Sequence, residues 1–163
     1  MMRIFATFTL MTLVLSIVLP VHAQTQTVKP LLGTWKRIMP NTATPGAPSG
    51  SATNQLDAAG NGFHFVEDVA DAKGPVLHIE YTVESFDGKD YAWKATDGTG
   101  KPLTVADAIA FQKIDDYTYE LLNKKMGEVI MTQKWVLSKD GRTRTVTSTR
   151  KQGNTMTTVY EKE

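Results

Sequence analysis

From Gly62 to the end of the chain, apolar and polar residues alternate with a period of two. Phe63 and Phe65 flank His64, and Leu77, Ile79, Tyr81 and Val83 alternate with His78, Glu80, Thr82 and Glu84. A strand with one buried face reads this way. Turn signals separate the runs. Asp87-Gly88 leads into Lys89–Ala95, where Tyr91 and Trp93 share a face, and Asp97-Gly98-Thr99-Gly100 follows. Tyr117–Lys124 pairs with Glu128–Leu137 across Lys125-Met126-Gly127. Asp140-Gly141 turns into Arg142–Lys151, and Gln152-Gly153-Asn154 turns into Thr155–Lys162. Asp-Gly between alternating runs is a strong hairpin signal. Thr143, Thr145, Thr147 and Thr149 form a β-branched row on one face, which suits a pleated surface. Ala106–Ile114 reads as a further strand, although its first residues also fit a helical turn.

The chain before Gly62 reads differently. Leu31–Met39 is a first strand, closed by Pro40. Pro40–Gly60 carries three prolines and three glycines among Ala, Ser, Thr and Asn, with no apolar period, and reads as a long flexible loop. An apolar run from Ile4 to Val21 follows the single basic residue Arg3 and ends in Val21-His22-Ala23, with small residues at the −3 and −1 positions of a cleavage site. Residues 1–23 are therefore expected to be a cleaved secretory signal peptide, and residues 24–163 a single domain. An uncleaved anchor would need about 20 predominantly apolar residues; Pro20 and the small-residue ending argue against one.

About nine short strands joined by tight turns, with no long helical period, predict an all-β fold. A meander of this length must protect its edges, and closure into an antiparallel up-and-down β-barrel of about eight to ten strands does so. A two-sheet sandwich fits the same spacing.

Composition narrows the picture. The leader holds Arg3 and no acid, so without it the 18 basic residues fall to 17 and match the 17 acidic ones. A neutral domain without a block of like charge gives no electrostatic case for nucleic acid or an anionic membrane. The chain has no cysteine, which excludes disulfides, thiolate metal sites, cysteine nucleophiles and a lipid-modified cysteine anchor.

Candidate chemistry is sparse. His64 and His78 alternate with the apolar residues and point outward; Glu67, Asp68 and Glu80 lie near them, but the spacing matches no metal motif. Asp87, Asp97, Asp115, Asp116 and Asp140 fall in turns, where Asp caps nearby backbone N–H groups. No catalytic residue, metal ligand or cofactor is assigned. Tyr81, Tyr91, Trp93, Tyr117, Tyr119, Met131, Trp135, Met156 and Tyr160 fall on the faces read as inward. From them Tyr81, Tyr91, Trp93, Tyr119, Trp135 and Tyr160 are taken as the wall of a ligand cavity, although the same residues would serve a filled core. Arg142, Arg144 and Arg150 share a face of the penultimate strand and are read as a solvated edge, or, if inward, as an anion contact.

Gly33-Thr34-Trp35-Lys36 at the head of the first strand resembles the Gly-x-Trp signature of the lipocalin and fatty-acid-binding superfamily, and Val159-Tyr160-Glu161-Lys162 is similar to the last strand of its fatty-acid-binding branch. Phe86–Tyr91, Ile114-Asp115-Asp116 and Val136–Gly141 resemble segments of small exported bacterial proteins described as lipocalin-like. The resemblance implies a lipocalin-like barrel with one open end, and a periplasmic or extracellular location. It also implies that Trp35 plugs the closed end under a basic partner, here Lys162. Thr158 stands where that branch often has a carboxylate-binding Arg, and no helical pattern follows the first strand to close the mouth. Fatty acid is therefore disfavoured, with weak selectivity for carboxylates expected.

Three functions are weighed by this analogy of fold. The first is an exported protein holding a small apolar or amphipathic molecule. The others are a barrel-cavity enzyme of cyclase or isomerase type, and an exported inhibitor or other module that binds a protein partner.

Overall fold

The computed structural model describes residues 28–38 and 50–163. The signal peptide read over residues 1–23 and the first part of the Pro40–Gly60 loop lie outside the described residues. Ten strands follow one another: β1 (Gly33–Arg37), β2 (Ser51–Ala59), β3 (Gly62–Asp71), β4 (Gly74–Val83), β5 (Asp87–Asp97), β6 (Ala108–Lys113), β7 (Thr118–Lys125), β8 (Glu128–Leu137), β9 (Thr143–Arg150) and β10 (Thr155–Lys162). Each pairs antiparallel with its sequence neighbour, and β1 pairs with β10, so the sheet closes into an up-and-down barrel without free edges. The sandwich alternative is thereby excluded.

Two sequence readings need correction. Ser51–Ala59 is a strand, not the end of a loop. Its buried positions are Ala52, Asn54 and Leu56, of which one alone is large and apolar, so the alternation leaves no hydrophobic trace. The uncertain start at Ala106-Asp107 is neither helix nor strand, and β6 begins at Ala108.

One end of the barrel is filled. Trp35, Phe63, Phe111 and Tyr119 have no accessible surface, and Phe86 from the β4–β5 turn folds in beside them. Phe63 meets Phe111 edge-on at 5.1 Å between ring centroids, and Phe86 lies 5.6 Å from Tyr119. Such pairs add to the gain from area burial alone. Trp35 donates its indole N–H to the Leu31 carbonyl at 2.8 Å. Lys162, opposite Trp35 in the register, holds its ammonium 5.1 Å from the indole centroid and donates to the Pro30 carbonyl. Gly33 takes a φ of +115°, and a Cβ there would come within 3.1 Å of the Lys162 side chain. Both features favour glycine at that position.

Turn aspartates fix the hairpins. Asp87, Asp97, Asp115 and Asp140 accept backbone N–H bonds from Lys89, Thr99, Tyr117 and Arg142 at 2.8–3.0 Å. Hydrogen bonds hold all four carboxyls below the usual 3.8, led by the Lys89 side chain, the Thr99 hydroxyl, the Tyr117 amide and the Ser138 hydroxyl respectively. A depressed folded pKa gives stability that is present above the unfolded value and lost as pH falls through the folded one. The urea midpoint should accordingly drop on acidification below about pH 4. Asp87→Asn and Asp140→Asn should flatten that drop. An identical acid slope in both variants would contradict the turn role.

Candidate functional site

The other end of the barrel is hollow. A cavity of about 220 Å³ lies above the aromatic plug. It opens toward the ends of β1, β3, β5, β7 and β9, where Val69, Leu77, Met131, Arg150 and Met156 surround it. Its wall is largely apolar: Phe65 from β3, Ile79 from β4, Trp93 from β5, Leu121 from β7, Trp135 from β8 and Val146 from β9. Phe65 stacks on Tyr81 at 4.5 Å, which keeps both rings flat against one side.

Polar groups converge at mid-depth. Arg144 is fully buried, with its guanidinium carbon 4.4 Å from the Trp135 ring, 4.7 Å from that of Tyr160 and 4.9 Å from that of Trp35. It donates through Nη2 to Asn54 Oδ1. Asn54 Nδ2 donates to Glu67 Oε1 at 3.0 Å, and the Tyr160 hydroxyl donates to the same oxygen at 3.1 Å. Arg144 and Glu67 are thus joined through a neutral amide. Arg144 Nε and Nη1 have no hydrogen-bond partner among the described residues. Three ring faces stand where acceptors would, as in other desolvated cation–π contacts.

Burial lowers the Arg144 guanidinium to about 10, which leaves it charged at neutral pH. Burial also pushes the Tyr81 and Tyr160 phenols well above their usual range, with the Glu67 charge adding to the rise. Both phenols therefore stay protonated near neutrality, and that of Tyr160 donates to Glu67. A general base needs a pKa near the working pH, so neither suits that task.

The structure brings together four of the six aromatic residues expected on the wall: Tyr81, Trp93, Trp135 and Tyr160. Tyr91 and Tyr119 are elsewhere. The Tyr91 hydroxyl meets Ser85 and Asp87 at the β4–β5 turn, and Tyr119 packs between Phe86 and Phe111 in the plug. Both share the parity of the wall residues but sit nearer the closed end. Met131 and Met156 do reach the cavity, whereas Tyr117 is 42% exposed, just outside β7. The solvated-edge reading of the arginines holds for Arg142 and Arg150, which are exposed, although Arg150 also borders the cavity mouth; Arg144 is wholly buried. The signal was present in the threonine row: if odd positions of β9 face out, Arg144 must face in with Val146 and Ser148. Glu67 carried the same cue, sharing the parity of Phe63 and Phe65 on β3, whereas Asn54 carried none. His64 and His78 lie on the outer surface, where they meet Thr82 and Asp68.

Comparison with protein-family models finds no match, and comparison with curated proteins finds none either.

What the site can do follows from its parts. Apolar walls favour an apolar body, and a few fixed polar groups orient it. At about 220 Å³ the space falls below the roughly 300–1,000 Å³ of pockets for drug-sized ligands, so the body is compact.

Proposed function

We propose that this is an exported, lipocalin-like binding protein that holds one small apolar or amphipathic molecule inside its barrel. The observation that carries the reading is the hollow upper half, walled by Phe65, Trp93, Leu121 and Trp135 while the lower half is packed solid. Side chains that merely stabilised the barrel would fill both halves. The leader-like N-terminus and the Gly33-Thr34-Trp35 resemblance support the exported and lipocalin-like parts of the reading.

The test uses N-phenyl-1-naphthylamine, an uncharged dye that brightens in apolar surroundings. Binding should saturate at one dye per chain, with energy transfer from the tryptophans as they are excited. Trp93→Ala removes wall and donor together and should weaken binding. Leu121→Trp fills the space and should abolish binding while leaving the far-ultraviolet circular dichroism unchanged. Binding that survives Leu121→Trp would place the dye on the outer surface and contradict the proposal.

A further inference from the structure

A second polar chain on the chamber wall has a fixed direction. Trp135 and Gln133 on β8 and Asn123 on β7 all border the chamber. An indole nitrogen carries its hydrogen permanently and can only donate. That of Trp135 donates to Gln133 Oε1 at 2.9 Å. The Gln133 carbonyl therefore faces the indole, and its Nε2 donates to Asn123 Oδ1 at 3.4 Å. Reversing either amide would set donor against donor, so the indole fixes the orientation of both.

Asn123 is left presenting its amino group. The residue is 5% exposed and borders the chamber, and its Nδ2 has no hydrogen-bond partner among the described residues. Its cross-strand neighbours, Ile109 on β6 and Met131 on β8, are apolar. The β7–β8 ladder is broken directly after it, by a shift of register between Asn123 and Lys124. Bulges of this kind re-aim side chains beside functional sites. A buried amide with unpaired N–H groups costs stability, which an apolar residue in its place would not. The other buried polar groups of the wall have no such direction. Ser148 and Thr158 carry hydroxyls, which turn to donate or to accept. Arg37 is turned to the Gly50 carbonyl and Arg144 to Asn54, while Arg150 is exposed at the rim.

We infer that Asn123 determines the specificity of the chamber, and that the occupant is an uncharged carbonyl compound of the ketone, ester or lactone kind. Its oxygen accepts from Asn123 Nδ2, and its apolar body fills the space between Phe65, Trp93 and Leu121. This rests on the binding role proposed above and narrows its ligand class. A carboxylate loses more hydration on entry than a neutral amide restores. An alcohol has to turn its own hydrogen away from Asn123 and find it an acceptor elsewhere. A hydrocarbon leaves the amide unpaired, at the cost of a lost hydrogen bond.

Two fluorescent probes isolate the carbonyl. Propionyl-dimethylaminonaphthalene and its propyl counterpart share one apolar body and differ by a single ketone oxygen. Asn123→Leu keeps the volume and removes the donor. It should weaken ketone binding about three- to tenfold, the scale of one neutral hydrogen bond, and leave the propyl probe bound no more weakly than before. The infrared carbonyl stretch of the bound ketone should lie lower in the native protein than in this variant. Gln133→Glu offers an acceptor to both neighbours, so Asn123 turns its amino group toward it and its carbonyl to the chamber. Ketone binding should then fall by a similar factor with Asn123 still present. An unchanged ketone affinity in either variant would overturn the inference and leave the binding role standing. So would an equal weakening of both probes in Asn123→Leu, which would make Asn123 a structural residue. Failure of both probes to bind the native protein would overturn the binding role itself, and this inference with it.

Discussion

Trp35→Ala should destabilise the protein by about 3–5 kcal/mol, the range for truncating a large aromatic side chain in a core. The indole is fully buried, and three things go with it. The bond from its N–H to Leu31 ties down the segment ahead of β1. Its faces hold Lys162 and Arg144, at 5.1 and 4.9 Å from the ring centroid. Removing it leaves two cations facing a cavity, and burial already holds the Lys162 ammonium below its usual pKa. Urea denaturation of the purified domain measures the loss. A cost below about 1 kcal/mol would show that the plug tolerates a hole where its largest side chain stands.

Arg144→Ala should cost a similar amount, about 3–5 kcal/mol, because it breaks a buried polar chain and strands the Asn54 carbonyl oxygen and the Glu67 charge. Asn54 loses the donor that fixes its amide, and Glu67 loses its compensating charge. The rings of Trp135 and Tyr160 lose a packed neighbour. Packing and charge can be separated. Arg144→Met keeps most of the volume, and adding Glu67→Gln to it removes the stranded charge. If the charge matters, Arg144→Met/Glu67→Gln should be more stable than Arg144→Met alone, since hydrophobic replacement of a whole buried pair is often neutral. A double variant less stable than either single one would mean that Glu67 and Arg144 contribute independently.

Much of the fold is legible in the chain. Period-two alternation separates inside from outside on β3, β4, β7 and β8, and Asp-Gly pairs mark the turns after β4 and β8. β2 escapes because Ala52 and Asn54 face inward without being strongly apolar. The site is legible only in part, for a geometrical reason. Parity fixes which face a side chain takes, whereas its level along the barrel axis depends on the register accumulated over successive hairpins and on the closure of β1 against β10. Tyr91 and Trp93 share a face of β5, yet one closes a turn and the other lines the chamber. Tyr119 and Leu121 divide in the same way on β7, one in the plug and one on the wall. Arg144 reads as solvated because charge normally argues for exposure. Two of its three covering rings, Trp135 and Tyr160, come from the hairpin neighbours β8 and β10, and barrel closure adds Trp35 from β1.

The central claim is that the space bounded by Phe65, Trp93 and Trp135 is a binding chamber. Native mass spectrometry of the protein taken from its own cells, without refolding, tests it most directly. The account predicts a population carrying one small molecule per chain, released by organic solvent and identified by its mass. A chain that carries nothing, and that takes up no N-phenyl-1-naphthylamine when the dye is added in excess, would contradict it.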